Sequence, residues 1–222
     1  MNRHRRQDPS PVDPSVVVRV VAVLAFVLSA VCAAMGVATA TSDGAGASAD
    51  PCPPVTTPFR ADAEPMAAAD PVAITVDRID ACSSLVPVGV DAQRRIEVPS
   101  VHTPEQAGWY RHGPTPGERG PAVVVGHVDG DGRRGVFADL AEATTGDRVT
   151  ITRRDGSLAV FTVTGTVQVS KNWFPTRDVY GDTAGAELRL ITCGGALDAS
   201  GRSYEDNVIV YARLTGQSRP QG

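Results

Sequence analysis

The sequence predicts an all-β domain that is built as a closed or nearly closed barrel. Eight short runs rich in β-branched residues follow residue 71, and segments rich in Gly, Asp, Ser and Pro separate them. Only FADLAEA at 137–143 has a helical pattern. Many short strands at regular spacing are typical of barrels. The runs are 72–76, 84–90, 95–99, 122–128, 148–153, 158–170, 187–193 and 207–214.

Length and composition favour one folded domain with attachments. The chain has 222 residues, of which 42% are hydrophobic, so it can bury a core and is not disordered throughout. The 21 basic and 25 acidic residues give a net charge of −4, which argues against bulk electrostatic binding of nucleic acid. The four cysteines include no CxxC pair, so neither a disulfide scaffold nor a structural zinc site is expected.

An uncharged stretch near the N-terminus predicts export of the domain. Residues 20–40 (VVAVLAFVLSAVCAAMGVATA) are long enough to cross a bilayer as a helix. Arginines dominate residues 1–19 and carboxylates dominate residues 41–70. This charge bias predicts a cytoplasmic N-terminus and an extracellular domain in the cell membrane, with a single pass. The alternative is a cleaved signal peptide, because Ala38-Thr39-Ala40 has the form of a cleavage site.

The rest of the chain divides by composition. Residues 41–70 are rich in Ala, Gly, Ser, Asp and Pro, which predicts a flexible extracellular tether. The catalytic domain is expected at 71–215 and a C-terminal tail at 216–222. Cys52 and Cys82 both lie in the exported part, so they either pair in an oxidising compartment or are two unrelated thiols.

Cys193 and His127 are the candidates for chemistry. Cys193 ends the run LRLITC and is followed by two glycines, where a backbone can approach a ligand closely. His127 ends the apolar run VVVGH and opens the loop VDGDG. A thiolate is a nucleophile that a nearby imidazolium stabilises, so two strand ends bearing these residues suggest covalent thiol catalysis. A small buried cysteine remains the alternative.

Several ordered motifs resemble the sortases, the membrane-anchored cysteine transpeptidases of Gram-positive bacteria. GHVDG at 126–130, LITCGG at 190–195 and YEDNVIVYA at 204–212 carry the resemblance, and LITC is similar to the family's TLxTC signature. Longer segments at 109–129, 135–151 and 171–195 are similar to the actinobacterial class F branch. The similarity covers residues 72–214 in order, which is more specific than one short pattern.

The resemblance implies an eight-stranded sortase-type β-barrel with short helices, preceded by one transmembrane helix. It implies that Cys193 attacks an LPXTG-like sorting signal of a secreted protein, and that His127 protonates the leaving amine. An amine of a peptidoglycan precursor or of another protein then resolves the thioester, without a cofactor. The family's third catalytic residue is an arginine, which is assigned here to Arg202, with Asn207 as the alternative donor to the oxyanion.

Other functions remain possible from the sequence. An exported cysteine peptidase would use the same Cys193 and His127 but let water resolve the thioester. A non-catalytic surface module with a sortase-like barrel is the second alternative. Asp129 and Asp131 beside His127 could bind calcium, but alternating Asp and Gly is typical of turns and the full set of oxygen ligands is lacking, so no metal is expected.

Overall fold

The computed structural model describes Cys52, residues 60–61 and residues 63–218. Eleven strands occur in these residues: β1 (Arg60–Ala61), β2 (Pro71–Val76), β3 (Ala81–Val88), β4 (Ala107–Tyr110), β5 (Gly120–Val125), β6 (Asp129–Gly130), β7 (Arg133–Arg134), β8 (Arg148–Arg153), β9 (Leu158–Ser170), β10 (Ala186–Leu197) and β11 (Tyr204–Gln217). The helix α1 (Thr176–Tyr180) and three 3-10 helices (Asp77–Ile79, Leu140–Glu142 and Lys171–Trp173) lie between strands. In the part of the chain described, no helix is long and apolar enough to span a membrane. The expected transmembrane segment at 20–40 lies outside the described residues.

Eight of the strands close into a barrel. The order is β11-β10-β5-β4-β3-β2-β8-β9, and β9 pairs with β11 to complete the ring. Two neighbouring pairs, β3–β4 and β5–β10, are parallel, and the others are antiparallel. Closure leaves the eight strands without a long unpaired edge. The predicted all-β fold with eight barrel strands is therefore confirmed.

The two faces of the barrel wall carry separate apolar clusters. Phe137, Phe161, Leu188 and Leu190 are among the fully buried side chains that fill the interior. Because side chains alternate along a strand, their neighbours point outward. Together with Val179 of α1, the outward-facing residues Val88, Val123, Val125, Ile191 and Ile209 form an outer cluster. Strands β5 and β10 are thus covered on both faces, which explains their nearly continuous apolar sequences.

One predicted strand is wrong, although the number of barrel strands is right. Residues 95–99 do not join the barrel but fold back, since the Glu97 amide donates to the Gly89 carbonyl at 3.0 Å. Their place is taken by β4, which runs beside β3 and buries Trp109. The β4 sequence AGWY is short and contains no β-branched residue, so its pattern gave no strand signal. The helical stretch at 137–143 forms only the 3-10 helix Leu140–Glu142.

The folded unit extends beyond both predicted boundaries of the catalytic domain. Before Pro71, the Met66 amide donates to the Gly117 carbonyl at 2.8 Å, and the buried Arg153 donates to the Ala67 carbonyl. A disulfide joins Cys52 to Cys82 on β3, so the two thiols are paired. After residue 215, β11 continues to Gln217, and the Ser218 amide donates to Leu158. Composition does not predict these contacts, because only a few residues of each segment bind the barrel and the rest of the segment is polar.

Candidate active site

Cys193 and His127 follow the last paired residues of two parallel strands. Ile191 on β10 is paired with Val125 on β5, and Cys193 and His127 each lie two residues beyond this pair, at two equivalent positions that are called the rung. Two hydrogen bonds keep the strands joined up to this point. The Gly126 amide donates to the Ile191 carbonyl at 3.1 Å, and the Thr192 hydroxyl donates to the Gly126 carbonyl at 2.8 Å.

Both side chains point away from the barrel interior. A Cβ on Gly126 would lie 2.6 Å from the ring of Phe137, so position 126 faces the core and His127 faces outward. Thr192 is buried, and a Cβ on Gly194 would lie 2.8 Å from the core residue Val208. Cys193 lies between these inward positions, so it faces outward as well. The two residues therefore share the face of the outer cluster.

Cys193 is half-buried and is the free cysteine among the described residues. Two residues after Cys193 is Gly195, whose φ of 77° lies in the left-handed region that favours glycine. The structure thus keeps a thiol partly open to solvent at the point where β10 bends. Such partial exposure is required of a cysteine that attacks a substrate.

The imidazole of His127 is oriented by a backbone carbonyl. Its Nε2 lies 2.7 Å from the Pro99 oxygen, and because a carbonyl only accepts, Nε2 carries a proton. Nδ1 is the second nitrogen and is left to exchange a proton. The His127 carbonyl accepts from the Phe137 amide at 3.0 Å, which fixes the backbone below the ring. This arrangement can hold an imidazole ready for proton transfer.

The two candidate donors to an oxyanion occupy different places. Asn207 on β11 is paired directly with Cys193 on β10, so the two side chains share a face. Arg202 is exposed in the turn between β10 and β11, where its amide donates to the Asp198 carboxylate at 3.2 Å. This turn follows Leu197, which is four residues from Cys193 and beyond an irregularity in the β10–β11 register. Asn207 is the neighbour of Cys193 in strand register, and Arg202 is not.

A pair that the sequence analysis did not identify lies next to this rung. The Tyr204 hydroxyl donates to the Asp129 carboxylate, which is two residues after His127. This hydrogen bond to Asp129 raises the pKa of Tyr204, and burial and the nearby charges of Asp129 and Cys193 act in the same direction. The residues are 75 positions apart, so no local pattern linked them.

The carboxylates beside His127 have side-chain partners in the structure. Asp129 accepts from Tyr204, and Asp131 lies 2.6 Å from Nδ1 of His102. Among the described residues, no group of three or more His, Cys, Asp or Glu side chains could hold a metal ion.

The buried outer cluster lies beside Cys193. Ile191 is two residues before it on β10, and Ile209 pairs with Ile191 from β11. Phe174 packs on this outer cluster next to the 3-10 helix Lys171–Trp173, and Trp173 is 84% exposed.

Comparisons with known proteins identify the domain. A family model described as a sortase domain matches residues 74–215. The fold is similar to that of sortase A from Listeria monocytogenes, with 18% identity and a TM-score of 0.51 over 68% of this chain and 90% of that one. It is also similar to a sortase from Actinomyces oris, with 19% identity and a TM-score of 0.50 over 74% and 95% of the two chains. The comparison with curated proteins gave no match.

Proposed function

The chain belongs to the sortase family and is a cysteine transpeptidase, and we propose that Cys193 is its nucleophile and His127 its general acid and base. The observation that supports this assignment is the parallel register of β5 and β10, in which a thiol and an imidazole follow paired residues. Both face the same side of the barrel. A thiolate and an imidazolium that lie close together stabilise each other and divide the chemistry between them.

The first half of the reaction forms a thioester. The Cys193 thiolate attacks the carbonyl carbon of Thr in the Thr–Gly bond of an LPXTG-like sorting signal. The carbonyl oxygen takes up the displaced electron pair. When the tetrahedral intermediate collapses, the carbon–nitrogen bond breaks. The His127 imidazolium gives its proton to the departing glycine amine, so the leaving group departs neutral.

The second half of the reaction transfers the acyl group to another amine. An amine from a peptidoglycan precursor or from another protein attacks the thioester, and His127 takes the proton that it loses. The carbon–sulfur bond then breaks and the thiolate returns. The enzyme gains no proton or electron over the two half-reactions, so Cys193 and His127 return to their starting states.

Asn207 is our choice for the donor that stabilises the oxyanion, in preference to Arg202. The pairing of Asn207 with Cys193 supports this choice, because an amide N–H on the adjacent strand can reach the oxygen of a substrate bound to sulfur. Arg202 lies in the exposed turn that follows Leu197, outside the paired residues of β10 and β11. An arginine is the stronger donor, so the choice rests on position rather than on charge.

The biological setting that we propose is the surface of an actinobacterial cell, with this enzyme as a class F sortase. The motifs at 109–129, 135–151 and 171–195 support the class, and the uncharged residues 20–40 support a membrane anchor with the domain outside. The proposed flexible tether is then the part of 41–70 that precedes the residues in contact with the barrel, such as Met66. Protease added to intact cells should release the domain as a soluble fragment, and a domain protected until lysis would contradict this topology.

Partitioning between an amine and water tests the proposed transfer. The domain is incubated with an LPXTG-type peptide, with and without a glycine-based amine, and the products are separated by mass. A transpeptidase forms the amine adduct in preference to the hydrolysed peptide. Hydrolysis that the amine does not suppress would favour the exported peptidase. Absence of both products across a panel of sorting peptides would favour the non-catalytic module.

A further inference from the structure

The rung that carries Cys193 and His127 is bounded on one side by direct strand contacts. The Thr192 hydroxyl and the Gly126 carbonyl join β10 to β5 at the residues immediately before Cys193 and His127. The β5–β10 pairing ends at Val125 and Ile191, after which one segment turns into β6 and the other continues into a hairpin with β11. On this far side the Tyr204–Asp129 hydrogen bond joins them again.

Each partner of this hydrogen bond belongs to a segment that is itself held in place. Asp129 is the first residue of β6 and is paired with Arg134 of β7, and the Gly135 amide donates to the Val128 carbonyl at 2.7 Å. Tyr204 is the first residue of β11 and is paired with Leu197. A bond between two such supported segments fixes the distance between them, rather than following a mobile loop.

We propose that Tyr204 and Asp129 form a strap that holds the His127 segment against the Cys193 hairpin and so positions the two catalytic groups. This inference rests on the proposed function, because it concerns the same thiol and imidazole. Tyr204 and Asp129 are positioning residues, and neither takes part in bond making. The contact is suited to this role because a hydrogen bond to a carboxylate is stronger than one between neutral groups.

The strap predicts coupled losses of rate. Tyr204→Phe and Asp129→Ala each remove the hydrogen bond, and each should slow acylation of Cys193 between about 10-fold and 100-fold, since a misplacement of about 1 Å has effects of this size. The double variant should be no slower than the slower single variant, because both changes remove one interaction. Asp129→Asn keeps an oxygen acceptor and should retain most of the wild-type rate.

Single-turnover acylation with an LPXTG-type peptide at several concentrations provides the test. The strap variants should lower the maximal acylation rate and leave the half-saturating peptide concentration unchanged. Tyr211→Phe is the matched control, because it changes the same residue type on β11 four rungs from Asn207. Additive losses in the double variant, or a rate for Asp129→Asn as low as for Asp129→Ala, would overturn the strap.

Alkylation of Cys193 by iodoacetamide separates this inference from the proposed function. The reaction needs no sorting peptide, and its rate at neutral pH follows the thiolate that His127 stabilises. His127→Ala and both strap variants should react more slowly than wild type. If only His127→Ala is slower, the strap is wrong and the catalytic pair stands. If His127→Ala is unchanged, the catalytic pair and the strap are both wrong.

Discussion

Individual residues at the active site differ in how tightly the fold constrains them. Gly126 must lack a side chain because Phe137 lies against it, and a Cβ on Gly135 would meet the His127 carbonyl at 2.1 Å. Cys193 and His127 face outward and are half-buried, so their truncation opens no cavity in the barrel interior. The residues that we propose as catalytic are therefore ones that the barrel should be able to lose without unfolding.

Removal of either catalytic side chain should abolish transpeptidation and leave the fold intact. We expect Cys193→Ala and His127→Ala each to reduce amine-adduct formation by about 10³-fold or more, because such groups act as one unit. Thermal unfolding followed by circular dichroism should give midpoints close to that of wild type. Appreciable adduct formation by folded Cys193→Ala would contradict the assignment of the nucleophile.

Asn207 and Arg202 should differ sharply when each is replaced by alanine. Loss of one oxyanion donor lowers the rate by about 10²–10³-fold, and we expect this for Asn207→Ala in single-turnover acylation. Arg202→Ala should keep the wild-type rate, with stability within about 0.5 kcal/mol, as for an ordinary surface change. The reverse ranking, with Arg202→Lys partly active, would show that the turn supplies the donor.

At the scale of elements, one buried hydroxyl adds to the backbone pairing that joins β5 to β10. Thr192→Val keeps the shape but removes the donor to the Gly126 carbonyl. We expect a loss of about 1–3 kcal/mol in the free energy of unfolding, because a buried acceptor loses its partner. Urea unfolding measures this, and Thr152→Val on β8 is the control at a distance from the site. An unchanged stability with an unchanged acylation rate would show that the join does not matter.

The disulfide between Cys52 and β3 is the second contact at this scale. It links positions 30 residues apart, which corresponds to about 3–4 kcal/mol of stability in the chain-entropy account. Cys82→Ser should lower the free energy of unfolding by this amount, and Cys52→Ser/Cys82→Ser should lower it no further. The measurement is urea unfolding of the exported domain under oxidising conditions. Equal stabilities of wild type and Cys82→Ser would contradict a stabilising role.

For the whole molecule, the sequence predicted the barrel class and most of its strands, but not how all of the strands pair. Long β-branched runs such as 158–170 and 207–214 lie in β9 and β11, because alternation is a local property. The short strand β4 was missed, since its place depends on pairing with β3 and β5 and not on its own composition. Residues 95–99 contain β-branched residues but form no barrel strand, because local hydrogen bonds join them to residues 89–91.

The candidate site shows the same division between local and long-range information. The apolar runs that end in His127 and Cys193 are visible in the sequence, but their common rung depends on the parallel pairing of β5 with β10. The sequence left Arg202 and Asn207 as alternatives, because the register of the β10–β11 hairpin decides which is the neighbour. The Tyr204–Asp129 contact needs both hairpins folded, so it had no sequence signal.

The thioester on Cys193 is the most direct test of the account. The domain is mixed with an LPXTG-type peptide, quenched in acid within a single turnover, and the intact mass and its peptide map are measured. The account predicts one acyl group that ends in Thr, attached at Cys193 and released as an adduct when an amine is added. Product formation with no acyl group on Cys193, or an equal yield from folded Cys193→Ala, would contradict it.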